Sequence, residues 1–171
     1  MSTPLNESAA ELIAKLKMTR HPEGGYFVET WRSTEACEVP ERGHRNLGTS
    51  IYFLMPHGQV SKFHRLAADE IWHFYQGDPI TVLTIDHHRG LNKHIVGPIG
   101  RFGATPQLII LKGTWFGAMH EGSGTEGFTL VGCTVSPGFE FQDFELAKRE
   151  KLLADHANAD AQTKNYIMHL T

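Results

Sequence analysis

The sequence has few cysteines, no excess of basic residues and no long apolar run, and each absence excludes a class of protein. The two cysteines among 171 residues, Cys37 and Cys133, have no metal-ligand spacing and cannot form a disulfide framework. The 16 Lys and Arg residues are scattered and outnumbered by 19 Asp and Glu, so we expect no nucleic-acid partner. No run approaches the roughly 18 apolar residues of a membrane span, so we expect no membrane partner and a cytoplasmic protein.

The length and composition are those of one ordinary globular domain. Hydrophobic residues make up 40% of the chain and charged residues 20%, and a chain of this length buries roughly two thirds of its unfolded surface. We therefore expect a single domain over residues 1–171.

The N-terminal region predicts a helix, and the sequence after it predicts short strands. A capping box at Ser8-Ala-Ala-Glu11 indicates a helix over about 6–18. His21-Pro-Glu-Gly-Gly25 ends the helical pattern, since proline and paired glycines disfavour it. From about 24 to 140, strand-forming segments alternate with Gly and Pro turns, which predicts an all-β sandwich, jelly roll or barrel. The predicted strands cover residues 26–33, 49–55, 70–76, 80–85, 94–96, 107–111, 114–119 and 128–135.

Two segments fall outside the strand pattern. Residues 33–46 are polar and aperiodic, so we expect a long loop that is either a mobile lid or plain surface. After Pro137-Gly138 the helical period returns, with Asp143 as a candidate N-cap. We expect a C-terminal helical segment over about 143–169.

The most specific signal is a spaced set of residues between Gly58 and Gly77. Five residues separate Gly58 from His64, one separates His64 from Leu66, three separate Leu66 from Glu70, and six separate Glu70 from Gly77. This spacing resembles the first cupin motif, with Leu66 where a second histidine usually stands. The resemblance implies a double-stranded β-helix, the cupin or RmlC-like jelly-roll barrel, in which alternate strand residues face one cavity. His64, Leu66 and Glu70 would all do so.

Further segments resemble one branch of cupins whose members are labelled predicted sugar epimerases. The resemblance covers about residues 6–150. It implies a barrel pocket for a small polar molecule such as a sugar or sugar derivative. The similar segments are His21-Pro-Glu-Gly-Gly-Tyr-Phe27, Ile51-Tyr-Phe-Leu54, Phe63-His-Arg-Leu66, Asp69-Glu-Ile-Trp-His-Phe-Tyr75, Gly77-Asp-Pro79, Pro137-Gly-Phe139 and Asp143-Phe-Glu-Leu146.

The second cupin motif is degraded, which bears on metal binding. Leu111-Lys-Gly113 stands in place of the usual Pro-x-Gly, and Phe116 in place of the remaining metal-binding histidine. Only His64 and Glu70 remain of the four ligands that the resemblance implies, whereas a catalytic metal needs about three. We therefore expect no cofactor, and we keep a divalent metal held by His64, Glu70 and His120 as the alternative.

Eight residues are candidates for contact with the ligand, because they lie beside the implied pocket or share strand parity with Glu70. They are Glu23, Tyr26, Glu29, Trp72, His73, Phe74, Phe116 and His120. His73 has the opposite parity to Glu70, so without a bulge it would face away from the cavity. His120 ends the strand that follows Gly113.

Three functions remain open. The first is metal-free epimerisation or isomerisation, with His64 as base, Glu70 as the group that orients it, and Tyr52 or Tyr75 as acid. The second is non-catalytic binding of a small molecule, and the third is a metal-dependent cupin enzyme. An enzyme needs an acid and a base facing each other across the cavity, whereas a binder needs only fit. Because an all-β domain gains by covering its sheet edges, we also expect a homodimer.

Overall fold

The computed structural model describes residues 7–86, 90–121 and 124–171. The helices are α1 (Glu7–Lys15), α2 (Arg149–Asp155) and α3 (Ala161–His169), with a 3-10 turn at Phe141–Asp143. The strands are β1 (Thr19–Arg20), β2 (Tyr26–Arg32), β3 (Ala36–Val39), β4 (Gly43–Asn46), β5 (Thr49–Pro56), β6 (Val60–Leu66), β7 (Asp69–Gly77), β8 (Ile80–Asp86), β9 (Gly90–Val96), β10 (Gln107–Ile110), β11 (Trp115–Met119), β12 (Phe128–Ser136) and β13 (Phe144–Leu146).

Two antiparallel sheets face each other, which confirms the all-β jelly-roll prediction. A six-stranded sheet has the order β1-β2-β5-β12-β7-β10, and a five-stranded sheet has the order β13-β6-β11-β8-β9. A core of apolar side chains, including Phe53, Trp72, Phe116 and Val131, fills the space between them. Each side chain of this kind contributes about 1.5–3 kcal/mol when fully buried.

The helices cover the outer faces of the sheets. Residues of α1 pack on Leu54 and Leu130 of the six-stranded sheet. Leu152 of α2 and Ile167 of α3 pack with Phe63 of the five-stranded sheet. No helix among the described residues is long and apolar enough to cross a membrane.

Each of the eight predicted strands has a counterpart, and β6 is an additional one. The alternation of β6 is disguised in the sequence because polar Ser61 and His64 are buried, as is apolar Phe63. Phe63 joins the outer cluster with the C-terminal helices, whereas His64 and Leu66 line the interior. The parity argument for His64 and Leu66 therefore depended on a strand that composition alone does not reveal.

Two predictions about local structure were wrong. Residues 33–46 are not an aperiodic loop, because β3 and β4 pair there as a hairpin from Ala36↔Asn46 to Val39↔Gly43. Asp143 caps no helix: it lies in the 3-10 turn, and its carboxylate accepts hydrogen bonds from Arg45 at 2.8 and 2.9 Å. Strand β13 follows, and α2 begins only at Arg149, since Phe144 pairs with Leu66 along β6.

Candidate functional site

A cavity of about 100 Å³ lies between the sheets. Its walls come from six strands, from the turn before β2 and from the segment between β12 and β13. They include Phe27 and Glu29 of β2, Ile51 and Phe53 of β5, His64 and Leu66 of β6, Glu70 of β7, and Cys133 and Val135 of β12. This volume is below the several hundred Å³ of sites for drug-sized molecules, so the cavity suits a small ligand.

The turn before β2 places a carboxylate inside the barrel. The backbone N–H of Lys62 donates to the carbonyl of Glu23 at 2.8 Å, which ties the turn to β6. Gly24 has φ +119°, and a Cβ there would collide with the carbonyl oxygen of Val60. Only glycine allows this close approach. The side chain of Glu23 is consequently buried, with Oε1 accepting a hydrogen bond from Ser61 Oγ at 2.8 Å.

Glu23 lies between two histidines. Its Oε2 is 3.1 Å from Nδ1 of His21 and 3.1 Å from Nε2 of His64. Burial by itself would raise the pKa of Glu23, but the charge of His64 and the hydrogen bonds from His21 and Ser61 outweigh it and lower the pKa. Glu23 is therefore the carboxylate of the cluster.

Both ring nitrogens of His64 are engaged. Nδ1 lies 2.7 Å from the carbonyl oxygen of Lys62, and Nε2 faces Glu23. Burial lowers the pKa of His64, and the carboxylate of Glu23 and the carbonyl of Lys62 oppose that shift. Because both partners are acceptors, the Glu23–His64 pair holds a proton between Oε2 and Nε2. His64 thus has no free nitrogen for a ligand in this arrangement.

His21 has the free nitrogen that His64 lacks. Its side chain is 7% exposed and lines the cavity. Nδ1 lies 3.1 Å from Oε2 of Glu23 and 3.4 Å from the backbone N–H of the same residue, whereas Nε2 forms no hydrogen bond with any residue that the structure describes. A carboxylate that accepts from Nδ1–H fixes the tautomer in which Nε2 carries a lone pair.

Glu70 is the third polar group on the cavity. Its Oε2 is buried and forms no hydrogen bond within the described chain. Burial, and secondly the negative charge of Glu23, raise the pKa of Glu70 to about 8, and its polar neighbours Cys133 and Trp72 offset this only in part. Glu70 is therefore a neutral carboxylic acid at pH 7. The expected contact of Glu70 with His64 is absent, since the carboxylate partner of His64 is Glu23.

A solvent-facing rim surrounds the cavity. The side chains of Arg32, Glu29 and Glu140 are 32%, 40% and 43% exposed, respectively, and all three line the cavity. Arg32 forms ion pairs with both carboxylates, at 2.9 Å to Glu29 and 2.8 Å to Glu140. Phe141 completes this rim and is also about half exposed.

The predicted tyrosines do not reach this cavity. The rings of Tyr52 and Tyr75 contact each other edge to face with centroids 5.8 Å apart, and Tyr75 packs over Gly132. Tyr52 and Tyr26 belong to the cluster under α1, on the outer face of the six-stranded sheet. The prediction that Tyr52 or Tyr75 is the acid at the cavity, and that Tyr26 contacts the ligand, therefore disagrees with their placement.

The other candidate residues lie around the cavity or away from it. Trp72, Phe74 and Phe116 pack in the core rather than on the cavity surface, and the ring of Phe116 contacts the ring of His64 at a tilt, with centroids 4.0 Å apart. His73 has its predicted outward orientation, because its ring contacts Gln107 and Thr134.

His120 belongs to a different pocket. Its Nε2 lies 2.8 Å from Thr129 Oγ1, and its ring stacks on His57 with centroids 3.9 Å apart. Burial, helped by His57 and opposed by Asp78, lowers the pKa of His120 to about 4. The prediction that His120 joins His64 and Glu70 as a ligand disagrees with this placement.

The donor set does not fit a resident metal ion. His64 has both nitrogens engaged, and the phenyl ring of Phe116 packs against it where the resemblance implies a further ligand. Over residues 7–86, 90–121 and 124–171, no group of three or more His, Cys, Asp or Glu side chains is arranged to hold a metal.

Sequence reasoning missed His21, Arg32 and the rim phenylalanines. His21-Pro-Glu-Gly-Gly25 was interpreted as a break between helix and strand, although it is the segment that carries the buried pair of His21 and Glu23. A histidine and a glutamate two residues apart beside paired glycines is a signal that could have been followed.

Comparisons with known proteins place this geometry in a family. The protein-family model described as "Cupin superfamily (DUF985)" matches residues 10–147. The uncharacterized protein YML079W of Saccharomyces cerevisiae is 30% identical over 156 residues, which cover 84% of this chain and 77% of the yeast protein.

Solved structures agree with this match. Protein SO0799 from Shewanella oneidensis has a TM-score of 0.82 at 37% identity, covering 99% of this chain and 98% of that one. A hypothetical protein from Leishmania major has a TM-score of 0.86 at 30% identity, covering 95% and 98%. Oxalate decarboxylase from Bacillus subtilis, with a TM-score of 0.55 at 16% identity over 89% of this chain and 36% of its own, shares the fold alone. The chain belongs to the cupin superfamily, in the family DUF985.

Proposed function

We propose that this protein binds a small polar molecule in the barrel cavity and catalyses a metal-free proton transfer on it, as an isomerase or epimerase does. One observation carries the proposal: a carboxylate-oriented histidine with a free nitrogen, His21, and a neutral carboxylic acid, Glu70, line the same cavity. Proton abstraction next to a carbonyl needs a base and an acid in that relation.

His21 is the proposed base. Its Nδ1 lies 3.1 Å from Oε2 of Glu23, a carboxylate that orients the ring and would stabilise the imidazolium formed when Nε2 takes a proton. The aromatic rings of Phe27 and Phe144 contact the ring of His21 edge to face, with centroids 4.8 and 5.6 Å away. They hold its plane and exclude water from it.

Glu70 is the proposed acid. In its neutral form the carboxyl group can donate a hydrogen bond to a carbonyl oxygen of the substrate and give up its proton as negative charge develops there. A pKa of about 8 keeps that proton in place at neutral pH. Glu70 thus takes the role that the sequence assigned to Tyr52 or Tyr75.

His64 is a positioning residue in this mechanism. It holds Glu23 through Nε2 and is itself held by the carbonyl of Lys62. The base predicted from the sequence therefore acts through Glu23 on His21 rather than on the substrate.

The test is wash-in of solvent deuterium, which detects proton abstraction even when the product is unknown. Dihydroxyacetone, glyceraldehyde and aminoacetone are incubated with the protein in D₂O, and loss of the proton next to the carbonyl is followed by NMR. We expect protein-dependent exchange on at least one of them. His21→Asn and Glu70→Gln should each reduce it by about 10²–10⁴-fold.

The matched control is His73→Asn, a histidine on the opposite face of the same sheet, which should exchange at the wild-type rate. Equal loss in His73→Asn, or no exchange on any compound, would contradict the proposal. Binding of these compounds without exchange would instead support the alternative of a non-catalytic binding protein.

A further inference from the structure

The guanidinium of Arg32 at the rim of the cavity is fully engaged by the protein. Its five N–H groups donate to Glu29 Oε1 at 3.1 Å, Glu29 Oε2 at 2.9 Å, Asn46 Oδ1 at 3.0 Å, Glu140 Oε1 at 2.8 Å and the carbonyl oxygen of Phe139 at 3.2 Å. A guanidinium has five N–H donors and no others. Arg32 therefore has no donor left with which to bind an anionic ligand.

The carboxylates of the cavity outnumber its one permanent cation. Glu29 and Glu140 at the rim and Glu23 inside face the single positive charge of Arg32, and the proton shared by Glu23 and His64 does not reverse that balance. At the rim, Oε2 of Glu140 forms no hydrogen bond with a described residue. An anion would enter against this field, whereas a cation would be attracted by it.

Three phenylalanine rings stand beside these carboxylates. The centroid distances are 5.1 Å between Phe139 and Phe141, 6.2 Å between Phe139 and Phe144, and 6.3 Å between Phe141 and Phe144. All three rings line the cavity. Clustered aromatic faces next to carboxylates are the arrangement that attracts organic cations.

A buried oxygen of Glu70 inside the cavity independently favours the same kind of ligand. Oε2 of Glu70 is buried, lines the cavity and has no hydrogen-bond partner in the described chain. A buried oxygen without a partner costs free energy, and a donor supplied by a ligand would remove that cost. An ammonium or amidinium group supplies such a donor together with a positive charge.

We propose that the cavity selects a small organic cation, such as a primary amine or an amidine, which lies against the ring cluster of Phe139, Phe141 and Phe144 and hydrogen-bonds to Glu70. This inference rests on the cavity being the binding site, as in the proposed function, and adds the charge class of the ligand. It excludes sugar phosphates and nucleotide sugars as substrates, because both are anions.

The test uses three probes of one shape: isobutylamine, isobutanol and isobutyrate. Their affinities for the wild-type protein are measured by calorimetry and by NMR titration up to 50 mM. We expect isobutylamine to bind at least tenfold more tightly than isobutanol, and isobutyrate not to bind.

The Glu140→Gln variant separates the charge effect from shape. It removes one of the rim carboxylates and should weaken amine binding by at least tenfold, while Glu145→Gln, an exposed partner of Arg65, should not change it. Binding of isobutyrate as tight as that of the amine, equal binding of amine and alcohol, or no binding by any probe would overturn the inference.

The outcome is independent of the exchange experiment. Amine selectivity without deuterium exchange would leave this inference standing and refute the proton-transfer function. Exchange on dihydroxyacetone without amine selectivity would do the reverse.

Discussion

His21 and Glu23, separated by one proline, form a buried carboxylate–histidine pair with 3.1 Å between Nδ1 and Oε2. Pairs of this kind orient the imidazole ring. His64 contacts the same oxygen of Glu23, so the protonation of Glu23 depends on a residue that lies outside the turn.

Replacement of His64 with Gln tests that dependence. The charge of His64 helps to lower the pKa of Glu23, so its removal should raise that pKa. We expect slower deuterium exchange, by about tenfold, and an acid limb of the rate profile that moves to higher pH. The measurement is the exchange rate from pH 5 to 9, with folding checked by circular dichroism. A slower rate with an unmoved acid limb would indicate a purely structural role.

Replacement of Glu70 with Gln should stabilise the protein most at alkaline pH. Burial raises the folded-state pKa of Glu70 to about 8 from a starting value of 4.5. At a pH between the two pKa values, the folded chain holds a proton that the unfolded chain releases. The stability of the wild-type protein is therefore fully present below the unfolded-state pKa and falls as the pH rises to the folded-state pKa. Urea denaturation at pH 5 and pH 8.5 should show the advantage of the variant growing by a few kcal/mol. The control, Glu145→Gln, should give the same difference at both pH values.

Replacement of Asp143 with Asn should loosen the β3–β4 hairpin. The hydrogen bonds from Arg45, with the charges of Arg45 and Arg42, lower the pKa of Asp143 in spite of its burial. The stabilisation by these contacts is present above the unfolded-state pKa of Asp143, about 3.8. It is lost as the pH falls through the folded-state pKa, which is lower. We expect the variant to lose about 2 kcal/mol at pH 7, and the difference from wild type to shrink below pH 4.

A matched variant on the same hairpin is Glu38→Gln. The ion pair of Glu38 with His44 is exposed, so its loss should change stability by less than about 0.5 kcal/mol. An equal effect of both variants would show that Asp143 is not the anchor.

Elemental analysis decides whether a divalent metal takes part. For protein purified without a chelator or a histidine tag, we expect no stoichiometric manganese, iron, zinc or nickel, and exchange activity that EDTA leaves unchanged. The reason is the donor set, in which Glu23 and the carbonyl of Lys62 already use both nitrogens of His64. A near-stoichiometric metal that is lost in His64 and Glu70 variants would overturn the metal-free mechanism.

A homodimer remains a prediction from the sequence. On the six-stranded sheet, Tyr75 is 52% exposed, and Ile109 on the edge strand β10 is 58% exposed. Formation of a dimer commonly buries exposed apolar residues and sheet edges of this kind. Sedimentation at micromolar concentration should give twice the chain mass of 19.1 kDa. A single species at the chain mass would contradict this.

Much of the fold was predictable because its signals are local. Strand-forming segments separated by Gly and Pro turns indicated the all-β class, and the spacing from Gly58 to Gly77 indicated which residues of β6 and β7 face inward. Two errors came from non-local effects. The hairpin in residues 33–46 is held by Arg45 on Asp143, about a hundred residues away in sequence. The same contact, with the pairing of Phe144 along β6, replaces the expected helix start.

The sequence by itself determined that His64 and Glu70 face one cavity, through the resemblance of the spacing from Gly58 to Gly77 to the first cupin motif. Only the tertiary structure decided which groups act on each other there. Glu23 reaches His64 because Gly24 lets the turn pack against β6, and Oε2 of Glu70 is buried without a hydrogen-bond partner among the described residues. Hydrogen bonds and burial, and therefore the protonation of each group, are set by distances between strands that no spacing along the chain encodes.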